Sequence, residues 1–250
     1  MIKRLKDRLY FLKHWYADIF LYPKSKLTLE NSLDYDAYWK EKRGGDSARL
    51  SSWQLARAMI ISHVLKNTSK PSVGDIGCGD GAILQYIDKK VSLGRIKGYD
   101  TSELILEKMR VLGIETAVFD INNEGSWEIV TPMDYYLLLE ILEHIPNSEK
   151  FLNEVYSKSS KGVFFSTPNS GYFTYRLRLL FGKFPKQWVT FPNEHLRFWT
   201  ATDIKWWLKA LGYSDYKIFY YKGIPFLNKI WPALFAAAFV VFLPKNVSIK

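Results

Sequence analysis

The run Val73-Gly74-Asp75-Ile76-Gly77-Cys78-Gly79-Asp80-Gly81 leads a short apolar stretch into three glycines at alternate positions. Glycine lets the backbone turn tightly and lets a ligand approach where a Cβ would otherwise stand. A helix starting at Ala82 points its first N–H groups at that ligand, and the Asp75 carboxylate ahead of the turn can hold a cation. Gly77, Gly79 and Ala82 also satisfy the looser G-x-G-x-x-G/A pattern of dinucleotide sites, with Asp100 about 20 residues on, as that fingerprint asks. Further along, Glu140-Ile141-Leu142-Glu143-His144 gathers two carboxylates and an imidazole, and Glu194-His195 adds another pair. Histidine can take a proton near neutral pH, so His144 and His195, with Glu143 beside them, are the candidate catalytic residues.

The elements that must position these groups follow from periodicity. Apolar strands are expected at 73–76, 96–99, 116–119, 135–139 and 163–166, with helices from 82 and over 102–112 between them. Such alternation implies an α/β fold, a mostly parallel sheet with helices on both faces. Residues 51–65 read as a preceding helix with Ser51 or Ser52 as N-cap. After the fifth strand comes an aromatic- and arginine-rich insert, residues 171–198. A helix over 202–211 follows, with Asp203 near its start and Gly212 beyond its end. Runs 217–221 and 236–243 suit a final antiparallel pair. The expected organisation is an amphipathic helix with linker or lid at 1–50, then one domain over 51–250 carrying the insert at about 170–198.

Asp75 to Gly81 resembles motif I of the class I S-adenosylmethionine (SAM)-dependent methyltransferases of the type 11/23 group. The hallmark there is an acidic residue two before the first glycine, D-x-G-x-G-x-G. The resemblance implies the Rossmann-like class I fold, seven strands with a terminal antiparallel strand, and SAM as cofactor. It places Asp75, Gly77, Cys78, Gly79 and Gly81 along SAM. It assigns Asp100, with Thr101 beside it, to the ribose hydroxyls, Asp120 to the adenine amino group and Ile121 to the adenine face. Glu140, ending the fourth strand, stands beside the methyl donor. The carboxyl ends of the strands are where ligands bind in such sheets.

E-x-x-E-H followed by a distant histidine is similar to the metal site of small-RNA terminal 2′-O-methyltransferases, and ubiquinone-pathway O-methyltransferases carry a similar E-x-x-E-H. That likeness implies a ligand set of Glu140, Glu143, His144 and His195 for Mg²⁺ or Mn²⁺. A mixed N/O set suits such ions, and a bound cation lowers the pKa of a hydroxyl and orients it. The alternative is a metal-free pair, with one histidine as base and the other structural. The run from Pro168-Asn169 to Leu179-Leu180 resembles a group associated with methionine biosynthesis (MetW-like), which lacks the E-x-x-E-H run. The insert occupies the place of an acceptor lid: Asn169, Tyr172 and Tyr175 are expected against a sugar or ring, and Arg176 and Arg178 on a phosphate. The bland reading is a helical cap with buried aromatics.

The expected reaction is O-methylation of a sugar hydroxyl on a glycan or glycolipid. Alternatives are a quinone or phenolic acceptor, an RNA ribose, and a SAM-binding regulatory partner without catalysis. The formal net charge of +10 favours acidic partners, from nucleic acid to an anionic membrane; nucleic acid is the less favoured. A single cysteine, Cys78, excludes an intramolecular disulfide. Ile2, Leu5, Leu9, Leu12, Tyr16 and Ile19 make an apolar helical stripe with a basic opposite face, so residues 1–22 are a candidate peripheral membrane contact. The weakly charged stretch 230–243 has 14 residues, short of the roughly 20 of a spanning helix. The expected location is the cytoplasm, at the inner membrane face if that contact forms, and a homodimer is open.

Overall fold

The computed structural model describes Lys13 and residues 15–22, 50–121, 124–190 and 194–245. The expected linker at 24–47 and most of the amphipathic segment lie outside the described residues.

Helix α1 (Ser52–Leu65) opens with a capping box. The Ser51 hydroxyl accepts from the Gln54 amide at 3.2 Å, and the Gln54 side chain accepts from the Ser51 amide at 2.9 Å. Next come β1 (Ser72–Ile76), α2 (Ala82–Val91), β2 (Arg95–Asp100), α3 (Glu103–Val111), β3 (Glu115–Val118) and β4 (Met133–Leu139). A 3-10 turn, Leu142–His144, leads to α4 (Ser148–Lys158) and β5 (Ser159–Pro168). The insert folds as α5 (Phe173–Leu180) and α6 (Lys186–Thr190), followed by α7 (Asp203–Ala210), β6 (Lys217–Tyr221), α8 (Leu227–Ile230), α9 (Pro232–Phe235) and β7 (Ala238–Pro244).

The seven strands form one sheet in the order β3-β2-β1-β4-β5-β7-β6. Every pair is parallel except the two made by β7. Central strands β1, β4 and β5 are covered on both faces, so they read as apolar runs rather than as alternation. Successive side chains nonetheless point to opposite faces. Leu138 and Phe165 join the core with Leu152, Trp207 and Val241, while Leu137 and Phe164 join the core with Ile61, Leu84 and Val240. Strand β5 runs to ten residues, longer than the expected 163–166, because β4 and β7 pair with it on either side. The apolar run 230–243 divides into the turn of α9 and strand β7. Among the described residues no helix is long and apolar enough to cross a membrane.

Candidate active site

Between the parallel neighbours β1 and β4 the order of strand addition reverses, and the carboxyl ends of β1, β2 and β4 open onto the crevice this leaves. After β1, Gly77 (φ +72°), Gly79 (φ +52°) and Gly81 (φ +69°) are all left-handed. A Cβ at Gly77 would fall 2.2 Å from Ile141 Cδ1, so that position admits glycine alone without rearrangement. The loop is tied to β2 by its amides. Gly77 N and Cys78 N donate to the Tyr99 carbonyl at 2.7 and 3.1 Å, and Gly79 N donates to Asp100 Oδ2 at 3.0 Å. The other Asp100 oxygen accepts from Ser102 N at 3.1 Å. Asp100 thus holds the loop as well as facing the place expected for the ribose.

Asp75 is buried, and its Oδ1 has no hydrogen-bond partner. Burial pushes its carboxyl well up, the nearby Asp100 adds to this, and Arg57 opposes it. A buried, unpaired carboxylate beside a second one is a site short of positive charge. SAM carries an ammonium and a sulfonium, and the residues present fit it: a buried carboxyl with an unpartnered oxygen beside a turn of three left-handed glycines. Thr101 and Asp120 are exposed at the ends of β2 and β3, and Ile121 packs on the core beside them.

At the end of β4, Glu140 takes a left-handed backbone (φ +60°), rare for a residue with a Cβ. Ser166 and Arg57 hold it there. Glu140 N donates to the Ser166 carbonyl at 3.1 Å, Ser166 Oγ donates to Glu140 Oε1 at 2.8 Å, and Arg57 Nη1 reaches the same oxygen at 2.8 Å. Arg57 comes from α1, and nothing in its local sequence marks it.

The following turn brings Glu143, His144 and His195 together, with one ligand atom of each within 4.8 Å of the others. The two imidazoles meet edge-on, with centroids 4.7 Å apart. His144 Nδ1 faces the Glu194 carbonyl at 2.6 Å. A carbonyl only accepts, so Nδ1 carries the proton and Nε2 offers its lone pair. Burial lowers the His144 pKa against the pull of that carbonyl and of Glu140. Burial, with His144 alongside, brings His195 to about 4. Glu143 is fully enclosed, and burial followed by the charge of Glu140 pushes its carboxyl well up. Neither Glu143 oxygen makes a well-formed hydrogen bond, although the Thr167 hydroxyl and the residue's own amide lie near enough to favour the charged form.

One carboxylate and two neutral imidazoles fit a divalent cation such as Mn²⁺. These are three of the expected set of four; the fourth, Glu140, accepts from Arg57 and Ser166 through Oε1.

The profile of the family described as "Methyltransferase domain" matches residues 50–218. This chain belongs to that family. It is a class I SAM-dependent methyltransferase, with SAM as cofactor. A SAM-dependent methyltransferase from Archaeoglobus fulgidus superposes with a TM-score of 0.57 at 17% identity, covering 85% of this chain and all (100%) of that one. The plantazolicin methyltransferase BpumL in complex with S-adenosylhomocysteine (SAH) gives 0.57 at 16% identity, over 98% of this chain and 99% of that one. The small RNA methyltransferase HEN1 gives 0.56 at 23%, over 82% of this chain but only 28% of that longer one. No curated protein sequence matches the chain.

In this methyltransferase the insert is largely the helical cap of the bland reading, and two expected acceptor contacts, Asn169 and Arg178, are corrected. Asn169 has no exposure. Its Nδ2 donates to the carbonyls of Ala236 at 2.7 Å, Ala233 at 3.3 Å and Pro232 at 3.4 Å, and its Oδ1 accepts from Gly171 N at 3.0 Å and Ala201 N at 3.1 Å. Arg176 donates to the carbonyls of Gly171 and Ala233. Arg178 is likewise enclosed, spending its guanidinium on the carbonyls of Asp18, Ile19, Leu21 and Phe184. Asn169 and Arg178 are thus enclosed by backbone, whereas Arg176 is exposed while two of its nitrogens donate to backbone. Tyr172 and Tyr175 stand differently: burial and then the charge of Asp18 raise both phenols, Tyr172 to about 12, and Tyr175 also feels Glu140. Their rings pack within the cap: Tyr172 and Tyr175 lie 5.9 Å apart, Tyr175 and Trp188 5.8 Å, and Trp188 and Phe198 4.3 Å between centroids.

Proposed function

We propose that this methyltransferase transfers its methyl group to a hydroxyl, on a sugar of a glycan or glycolipid. The carrying observation is the Glu143–His144–His195 cluster at the carboxyl end of β4. It supplies a neutral base and a carboxylate where an acceptor oxygen would meet the methyl group.

A hydroxyl is a poor nucleophile, so the chain must remove or withdraw its proton during transfer. His144 Nε2 is oriented for this by the Nδ1–H donated to Glu194, and its lowered pKa keeps it neutral at pH 7. His195, lower still, stays an acceptor beside it. SAM bound along Asp75, the glycine turn and Asp100 supplies a methyl carbon made electrophilic by sulfonium. In the alternative route a divalent cation held by Glu143, His144 and His195 would take up the Nε2 lone pair and itself lower the pKa of a bound hydroxyl. Tyr172 and Tyr175, both half-buried, would offer flat apolar faces and phenol hydroxyls to a ring, the surfaces on which sugars stack. Closing the site over these faces contributes by positioning and exclusion of water.

The test is calorimetric titration with SAH, with and without Mn²⁺ or Mg²⁺, followed by an acceptor screen with His144→Asn and His195→Asn. Both variants should retain SAH affinity and lose at least about a hundredfold in turnover, the scale of general-base catalysis. Variants turning over at near wild-type rate would end the hydroxyl reading. RNA ribose is the second reading, favoured by the same cluster together with the +10 charge. It predicts binding that weakens steeply with salt as counterions return to the phosphates, whereas a neutral glycan binds independently of salt.

A further inference from the structure

We propose that the tip formed by the N-terminal helical residues 15–20 and the far end of α5 is a docking face for an anionic lipid surface. The inference goes beyond the activity proposed above, and it can fail with methyl transfer intact.

The two segments are joined into one body. Arg178 Nη1 donates to the carbonyls of Asp18 and Ile19 at 3.1 Å and of Leu21 at 2.8 Å. These are the unpaired carbonyls at a helix C-terminus, which a cation satisfies. Lys183 Nζ donates to the Phe20 carbonyl at 2.8 Å, Lys186 pairs with Asp18 at 3.4 Å, and the Phe20 and Phe181 rings lie 5.1 Å apart. Ile19 turns inward and is buried.

What this clasp leaves outside is apolar. Leu179, Leu180 and Phe181 are consecutive and all exposed, Leu180 to 77%, and Tyr16, Leu21 and Tyr22 are exposed beside them. Contiguous exposed apolar surface of this kind marks a contact face. Its rim is basic. Residues 171–190 hold four Lys or Arg and no Asp or Glu. The Tyr22 ring lies under Lys183 at 4.9 Å and Arg178 at 5.1 Å. Among the described residues of this clasp the acid is Asp18, which pairs with Lys186. In sequence, residues 1–26 carry seven Lys or Arg against two Asp.

Aliphatic tips ringed by tyrosine and lysine match the boundary between acyl chains and anionic headgroups. The charge selects lipid over a second copy of the chain, which would bring +10 against +10. The face also adjoins the reaction. Trp15, on the same helical segment as Asp18, stands edge-on to Phe173 at 5.2 Å, and Phe173 to Tyr172 at 4.8 Å. A membrane held at the tip would bring a lipid-linked acceptor to the border of the site.

The test is co-sedimentation of the full chain with vesicles of phosphatidylcholine alone or mixed with phosphatidylglycerol, at low and high salt. Preferential, salt-weakened binding to the anionic vesicles is expected. The double variant Leu180→Asp/Phe181→Asp should lower that binding by at least about tenfold, since each burial is worth roughly 1.5–3 kcal/mol. SAH affinity should stay unchanged, which also reports that the variant is folded; Leu180→Ser is read in its place if it is not. The proposal is overturned by wild type that binds SAH but no anionic vesicle. It is equally overturned by a variant that binds vesicles as wild type does, or by light scattering that shows a dimer abolished by the same substitutions.

Discussion

Replacing Asn169 by alanine separates a structural amide from an acceptor contact. The side chain has no exposure and bridges β5, α9 and the start of α7. Its shortest bonds are 2.7 Å to Ala236 O, 3.0 Å from Gly171 N and 3.1 Å from Ala201 N. Alanine leaves the Gly171 and Ala201 amides buried without partners. A buried donor left unpaired costs about 1–3 kcal/mol, so the pair amounts to about 2–6 kcal/mol. That is a large part of the roughly 5–15 kcal/mol by which a domain is stable. At about 2–4 °C per kcal/mol for a chain of this size, Tm should fall by about 10 °C. Thermal unfolding followed by circular dichroism reads the fall. Calorimetry with SAH well below the midpoint should give near wild-type affinity. A Tm within about 2 °C of wild type, combined with a large loss of kcat/KM, would refute the reasoning and return Asn169 to the acceptor.

Gly77→Ala should weaken SAH binding by about tenfold or more, because a left-handed backbone resists a Cβ and that Cβ would meet Ile141 at 2.2 Å; unchanged affinity in calorimetry would contradict it. Arg57→Met removes the cation 2.8 Å from Glu140 and should cost about 3–5 kcal/mol, the scale for breaking a buried pair from one side. Arg57→Met/Glu140→Gln should recover part of that loss in urea unfolding, and strict additivity of the two would argue against coupling. His195 should protonate near 4 rather than at its ordinary 6.5. The unfolded chain then binds the proton more readily, so this contribution to stability is complete above about 6.5 and is lost as pH falls toward 4. NMR titration of the imidazole in metal-free protein reads the midpoint, and His195→Asn should flatten that part of the stability profile.

The strand–glycine–helix frame was legible because its parts are local. Each of Asp100, Asp120 and Glu140 stands where an apolar run stops, Asp75 one residue before the end of its strand, and the strand–glycine–helix order is written within a few residues. The Ser51–Gln54 capping box is equally local. The acceptor side misled, since tyrosine and arginine in an insert look alike whether they face a ligand or a carbonyl. Asn169 is satisfied by carbonyls more than 60 residues away, and Arg178 by carbonyls some 160 residues back. Arg57 was overlooked because on α1 it resembles any solvated helix arginine. Its partner Glu140 comes from the end of β4. Such pairings exist only once the sheet is assembled, and no spacing rule announces them.

The sheet's connectivity also bears on how the chain is made. Strand β5 is complete at Pro168, yet its outer neighbour β7 begins only at Ala238, and β6 meets β5 only through β7. At about 5–20 residues per second, the growing polypeptide carries an unpaired, apolar β5 edge for several seconds. An open edge of that kind is a template for pairing with a neighbouring nascent chain. The ribosome-bound intermediate, rather than the finished enzyme, is therefore where aggregation threatens and where a chaperone would be most useful.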